Sequence, residues 1–186
     1  MNHTAGTEHD QGTHRVEGAE MGEVAVNIPP GEGGRISWVM GELGTHKVSS
    51  QMTGGAYALF EVATRPGAGA PPHIQHREDE SFYVLEGEYE FLVEGRISRV
   101  RAGSLLYIPK GTLHAHKNVG HGVGKMLVSQ TPGGLYERFF EEVGKPVDGD
   151  IRMPAFHDQL DLQRIAALGV EFGIEMPPPV SQHGRA

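Results

Sequence analysis

The sequence of 186 residues contains no cysteine. This absence excludes disulfide bonds and thiolate metal sites, so a bound metal ion would take its ligands from His, carboxylate, amide or water. Long apolar runs are absent too: none approaches the ~20 residues that a transmembrane helix needs. The opening stretch MNHTAGTEHDQGTH also lacks the apolar core of a signal peptide. We therefore expect a cytoplasmic protein without a membrane partner.

Positive charge is scarce in this chain. It has 16 Lys and Arg against 24 Asp and Glu, which gives a formal net charge of −8. Proteins that bind nucleic acids usually present a basic face, and no cluster of Lys or Arg offsets the acidic balance here. The composition therefore argues against a nucleic-acid partner and favours a small molecule.

Glycine, in contrast, is abundant, and its 27 residues separate short apolar runs between about residues 35 and 130. This rhythm is typical of antiparallel β proteins. An all-β barrel or sandwich of eight strands is predicted, from the runs ISWVM, YALFEVA, SFYVLEG, EYEFLV, ISRV, SLLYIP, LHAHKN and KMLVSQ. Turn residues predict reversals of the chain at Gly87 and at Glu94-Gly95. The polar stretches at 1–23 and 177–186 are expected to be flexible tails around one folded domain at 24–176.

Two helices are predicted after the strands, as a cover for the barrel. The segment LYERFFEEV, residues 135–143, places its apolar side chains on one helical face and its charges on the other. The segment DQLDLQRIAALG is predicted to begin at the N-cap Asp158, with Asp161 three residues on, and to end at Gly169.

Potential metal ligands are concentrated in the stretch PPHIQHREDE, residues 71–80. Side chains two apart on a strand share a face, so His73 and Gln75 point one way and His76 points the other. By the same rule, the side chains of His114, His116 and Asn118 in LHAHKN share a face. If both faces look into one barrel, these side chains and Glu80 converge.

The same two segments resemble the two motifs of the cupin superfamily. The first motif is matched by Gly67, His73, Glu80 and Gly87, and the second by Gly103, Pro109, Gly111, His114 and Asn118. The contexts HREDESFYVLEGE and TPGGLYERFFEEVG are similar to those of bacterial single-domain cupins related to quercetin 2,3-dioxygenase. The resemblance implies a jelly-roll barrel, also called a double-stranded β-helix, with one or two C-terminal helices.

The resemblance also implies a divalent transition metal, Fe, Mn, Ni, Cu, Co or Zn, bound by four side chains. The corresponding positions here are His73, Gln75, Glu80 and His114. Gln75 stands where the family usually has a second histidine, and an amide oxygen is a harder and weaker donor than imidazole. Some cupins, such as the phosphomannose isomerases, do use a glutamine ligand. The alternative for this group is a hydrogen-bonded polar cluster without metal.

The activity that the resemblance implies is a dioxygenase for a flavonol or another enolisable phenol. Glu80 is then both ligand and catalytic base, and His116 is either an acid/base or metal-ligating group, or a cavity histidine satisfied by hydrogen bonds. An apolar substrate pocket is expected from Tyr57, Phe60, Phe82, Phe91, Tyr107 and Met126. Two alternatives stay open: a non-redox metal-dependent cyclase or isomerase, and a binding protein without turnover.

A homodimer is also expected. Single-domain cupins commonly pair through an edge strand and exchanged N-terminal segments, and the strand-like segment VAVNI at 24–28 is suited to that exchange.

Overall fold

The computed structural model describes residues 25–34, 36–147 and 162–177, which contain twelve strands and two helices. The strands are β1 (Ile36–Val39), β2 (Glu42–Val48), β3 (Ala58–Thr64), β4 (His73–Gln75), β5 (Asp79–Glu86), β6 (Glu88–Val93), β7 (Arg96–Arg101), β8 (Leu105–Ile108), β9 (Leu113–Asn118), β10 (Gly124–Thr131), β11 (Lys145–Pro146) and β12 (Ile174–Glu175). The helices are α1 (Leu135–Val143) and α2 (Leu162–Phe172). Each of the eight predicted runs overlaps one of these strands.

The strands form two antiparallel sheets that pack as a jelly-roll sandwich. One sheet has the order β11-β1-β2-β3-β10-β5-β8 and the other the order β12-β4-β9-β6-β7. Gly87, with φ of 89°, lies between β5 of the first sheet and β6 of the second. Glu94 and Gly95, with φ of 47° and 77°, form the tight hairpin between β6 and β7. Both predicted reversals are therefore present.

Side-chain parity along the strands decides which residues enter the core. Phe60, Phe82, Phe91 and Met126 are at most 2% exposed and pack in one apolar cluster. The prediction that Tyr57 and Tyr107 face the interior is wrong, since they are 41% and 61% exposed. Even-numbered residues face inward on β3 and β8, so an odd-numbered tyrosine in either segment points to solvent.

Helix α1 has the predicted bounds and packs against β2 and β3. Phe140 lies 5.8 Å from the ring of Phe60, centroid to centroid. It also lies so close to Gly44 that a Cβ there would be 2.5 Å from its ring, so glycine at this position lets the helix approach.

Helix α2 differs from its prediction. It runs through Gly169 to Phe172 and ends at Gly173, whose φ of 77° is the left-handed conformation of a helix C-cap. The predicted N-cap Asp158 and the following Asp161 lie outside the described residues. No helix in the described ranges is long and apolar enough to cross a membrane.

Most of the predicted boundaries near the two ends of the chain lie outside the described residues. The predicted tails at 1–23 and 177–186 lie outside the described residues, apart from Pro177. Residues 25–28 of the segment VAVNI are described and belong to no strand of the single chain. The domain bounds 24–176 and the strand exchange stay predictions.

Candidate metal centre

Two histidines and a glutamate from three strands meet in the interior of the sandwich. His73 lies on β4 and His114 on β9, directly opposite each other in one sheet, while Glu80 lies on β5 of the facing sheet. All three side chains are buried, and one ligand atom from each lies within 4.8 Å of the others. The group spans the two sheets, which is the arrangement that an ion bridging them requires.

Backbone carbonyls fix the orientation of both imidazole rings. Nδ1–H of His73 donates to the carbonyl of Pro71 at 2.9 Å, and Nδ1–H of His114 donates to the carbonyl of Thr112 at 3.0 Å. A carbonyl oxygen only accepts, so Nδ1 carries the proton in each ring. Metal-ligating histidines are held in this way, because the tautomer leaves the lone pair of Nε2 available.

The contact between Glu80 and His114 is favourable only with a positive charge between their facing atoms. Their Oε2 and Nε2 atoms are 2.8 Å apart. Neither atom has a well-aligned hydrogen-bond partner within the described part of the chain. Since Nδ1 of His114 already holds a proton, a deprotonated Nε2 would direct its lone pair at a carboxylate. A cation in contact with both atoms, either a proton or a metal ion, removes that repulsion.

The protonation equilibria of the three groups reflect this arrangement. Burial lowers the pKa of His114, but the contact with Glu80 outweighs it, and the net pKa is raised. Burial raises the pKa of Glu80, but His114 and His73 outweigh it, and the net pKa is lowered. Burial and the neighbouring His114 lower the pKa of His73 to about 4. At neutral pH Glu80 is therefore an anion and His73 is neutral, which are the forms that bind a metal ion.

Two buried amide side chains border this group. Gln75 is on the same buried face of β4 as His73, as predicted, and its Nε2 finds no hydrogen-bond partner in the described ranges. Gln130 on β10 lies opposite Glu80 and donates from Nε2 to Glu80 Oε1 at 3.5 Å. Sequence reasoning missed Gln130, although KMLVSQ alternates and would have placed it on the inward face.

His116 is on the same buried face of β9 as His114 and Asn118, as predicted. It is not part of the group of three, because its Nε2 lies 2.8 Å from Oε1 of the buried Glu42 on β2. Sequence reasoning missed Glu42 as a site residue. His76 points outward as predicted, and its Nε2 lies 2.8 Å from Oε2 of Glu175 at the surface.

Glu78 connects the strand that carries Glu80 to helix α1. Its carboxylate accepts hydrogen bonds from the backbone N–H groups of Leu135 and Tyr136, at 2.9 and 3.0 Å. Burial raises the pKa of Glu78 to about 7, although these two donors stabilise its ionised form. Sequence reasoning missed this contact, because its partners lie 57 and 58 residues away along the chain.

Replacing Glu78 with alanine is expected to lower the free energy of unfolding by about 1–3 kcal/mol, because it leaves two N–H groups at the start of α1 without acceptors. Chemical denaturation monitored by circular dichroism measures the loss. Glu78→Gln keeps a carbonyl acceptor and is expected to lose less. Equal stability of Glu78→Ala and the unchanged protein would contradict this role.

Comparisons with known proteins give a family match for the middle of the chain and several relatives. Residues 60–129 match the family model for the Cupin domain. Quercetin 2,3-dioxygenase of Bacillus subtilis is 29% identical over 131 residues, 70% of this chain and 38% of the relative. Oxalate oxidase GF-2.8 of Triticum aestivum is 37% identical over 87 residues, 41% of this chain and 39% of the relative. The chain thus spans about two fifths of either relative's length.

A solved structure supports the fold. A predicted oxalate decarboxylase from Thermotoga maritima superposes with a TM-score of 0.53 at 20% identity, over 57% of this chain and 99% of that one. At this identity the likeness concerns the fold alone.

Proposed function

Residues 60–129 form a cupin domain, and we propose that this chain is a metal-dependent cupin dioxygenase for a flavonol such as quercetin or another enolisable phenol. The observation that carries the proposal is the buried group of His73, Glu80 and His114, whose ligand atoms lie within 4.8 Å of one another. The similarity to the quercetin 2,3-dioxygenase of Bacillus subtilis over 70% of this chain supports the reaction class.

We propose that Nε2 of His73, Nε2 of His114 and the Glu80 carboxylate hold a divalent transition metal, with Fe, Mn, Ni, Cu, Co and Zn as candidates. The Gln75 amide supplies a fourth ligand through its oxygen. Its Nε2 has no partner among residues 25–34, 36–147 and 162–177, so this nitrogen does not restrain the amide from turning its oxygen toward a cation.

The bound metal would polarise the substrate's oxygen atoms and supply the redox chemistry with dioxygen. The chain's own residues bind the substrate and move its proton. Glu80 is ionised at neutral pH and takes the proton of the acidic hydroxyl as a general base. The apolar side chains of Phe60, Phe82, Phe91 and Met126 are proposed to exclude water from the substrate.

The proposal is tested by dioxygen consumption and ring opening. Protein purified without a metal-binding tag is loaded with each candidate metal, mixed with quercetin and followed with an oxygen electrode and mass spectrometry. Dioxygen uptake with a ring-opened product is expected, and the metal-free protein is the control. Turnover that continues without dioxygen would instead support a non-redox cyclase or isomerase. Saturable quercetin binding without turnover would support a binding protein.

Oxalate is the second candidate substrate, because the 87 residues shared with the wheat oxalate oxidase are 37% identical. The predominantly apolar cluster around the site favours a phenol over this small dianion. The same assay with oxalate distinguishes them, since oxidation of oxalate by dioxygen yields carbon dioxide and hydrogen peroxide.

We also propose that the chain forms a homodimer. The outer surface of β5 and β8 exposes a strip of large apolar side chains, Tyr83, Leu85, Leu105 and Tyr107, and within the described residues β8 is the last strand of its sheet. Light scattering at micromolar concentration is expected to give twice the mass of the chain. A monomer mass would overturn the proposal.

A further inference from the structure

Glu42 and His116 form a second buried polar contact, separate from the proposed metal ligands. Glu42 lies on β2 of one sheet and His116 on β9 of the other, so their contact of 2.8 Å crosses the interior of the sandwich. Both side chains are at most 7% exposed. Polar groups buried among apolar side chains destabilise the fold unless they are paired, and this contact pairs Nε2 of His116 with Oε1 of Glu42.

The hydrogen-bond partners show where the proton lies. Oε1 of Glu42 accepts a hydrogen bond from the hydroxyl of Thr64 at 2.9 Å and lies 2.8 Å from Nε2 of His116. Oε1 already accepts the hydroxyl hydrogen of Thr64, and a carboxyl oxygen without a proton only accepts, so Nε2–H of His116 donates to it. In the neutral ring Nδ1 is then an acceptor, and this buried atom has no hydrogen-bond partner in the part of the chain that is described.

Apolar rings hold the imidazole of His116 in place. Phe91 stacks on it with a centroid distance of 5.4 Å and an interplanar angle of 29°, and Phe82 lies 5.6 Å away. Because rings pack around the imidazole and Glu42 holds Nε2, Nδ1 has a defined direction. His116 is on the same inward face of β9 as His114, two residues away.

We propose that Glu42 is a positioning residue: it holds His116 as the Nε2–H tautomer, so that Nδ1 accepts a hydrogen bond from a hydroxyl group of the phenolic substrate. This inference rests on the proposed function, because it assigns the orientation of that substrate beside His114. It differs from the proposed roles of His73, Glu80 and His114, since neither Glu42 nor His116 binds the metal.

Nitrogen-15 NMR of protein labelled in its histidine rings tests the tautomer directly. In the metal-free and the Zn²⁺-loaded protein at neutral pH, we expect the His116 ring to carry its proton on Nε2. Glu42→Leu removes the acceptor and is expected to abolish this preference, whereas the exposed control Glu86→Leu leaves the spectrum unchanged. If Glu42→Leu does not fold, Glu42→Gln is expected to shift the same signals in the same direction by less.

The substrate side is tested with quercetin, titrated without dioxygen into the Zn²⁺-loaded protein. Glu42→Leu is expected to weaken binding roughly five- to tenfold, the equivalent of one net hydrogen bond, with the zinc content unchanged. A proton on Nδ1 of His116 in the unchanged protein, on one or both nitrogens, would overturn the proposal. So would quercetin affinity that Glu42→Leu does not alter.

The two proposals fail separately. If the protein binds no metal ion, the proposed function fails, but the ring signals of metal-free protein still report whether Glu42 controls His116. If metal and dioxygen uptake are found with His116 in the other tautomer, only the positioning role is lost.

Discussion

Replacing His114 with alanine is expected to weaken metal binding by more than about 100-fold and to abolish turnover. Mutation of a side chain that only hydrogen-bonds to a metal ligand already lowers metal affinity by about 10–100-fold. Loss of a ligand itself should therefore lower it by more. The change also leaves the buried Glu80 carboxylate without the imidazole that lies 2.8 Å from it. His73→Ala is expected to have the same effect on the metal, since its ring is the other imidazole of the group.

The measurement is elemental analysis of tag-free protein after reconstitution, together with the dissociation constant of each metal. His76→Ala is the matched control: it removes a histidine of the same short segment whose Nε2 pairs with Glu175 at the surface. It is expected to leave the metal content unchanged. Unchanged metal content in both His73→Ala and His114→Ala would show that the ligand assignment is wrong.

If His114→Ala binds no metal, loss of folding is a competing explanation, because an unpaired buried charge destabilises a protein by several kcal/mol. His114→Gln addresses it, since its amide N–H can donate to the Glu80 carboxylate from near the position of Nε2 and keeps this buried charge paired. Metal ions that bind the folded state raise the melting temperature by mass action. The unchanged protein is therefore expected to melt at a higher temperature with metal than after chelation, whereas folded His114→Gln shows a smaller shift.

Two of the strands with alternating burial could be predicted from the sequence down to their ends. EYEFLV and LHAHKN have the predicted bounds because one face is buried along each strand and a turn residue follows. The parity of LHAHKN also placed His114 and His116 on one buried face. The same rule, had it been applied to Tyr57 and Tyr107, would have excluded them from the pocket, because an aromatic side chain does not override strand parity.

Strand β2 could not be found by periodicity. Its first five residues, from Glu42 to His46, are all buried. Glu42 and Gly44 share the face that meets the interior and helix α1, and Thr45 on the other face lies beside Gly33. Burial on both faces removes the period of two. Three of these five are polar, Glu42, Thr45 and His46, so the segment lacks the apolar run that would otherwise reveal a central strand.

Some residues of the candidate site could likewise be predicted from the sequence, and others could not. His73, Glu80 and His114 belong to segments whose spacing could be recognised, and the fold brings them together. Glu42 lies 74 residues from His116 along the chain, in a strand that periodicity does not reveal. Contacts at that separation follow from the pairing of whole sheets, which no local pattern encodes.

Replacing Gln75 with histidine is expected to change which metal the protein prefers. Gln75 shares the buried face of β4 with His73, so an imidazole at residue 75 would face the same interior. Imidazole favours Zn, Cu and Ni, whereas oxygen donors favour Mn and Mg. We expect the affinity for Zn²⁺ relative to Mn²⁺ to rise by about tenfold or more. Tenfold is the smallest change in metal affinity that is typical when a residue hydrogen-bonded to a ligand is mutated, and residue 75 is placed to be a ligand itself.

Competition between Zn²⁺ and Mn²⁺ for the protein measures this ratio, and Gln51→His at an exposed position is the control for a histidine added at the surface. A ratio that Gln75→His leaves unchanged would show that residue 75 does not reach the ion.

The Gln75→His change also bears on catalysis, because a third imidazole donates more electron density than an amide oxygen and makes the metal less electrophilic. A variant that binds metal more tightly and turns over quercetin more slowly would indicate that glutamine at this position favours reactivity over retention of the ion.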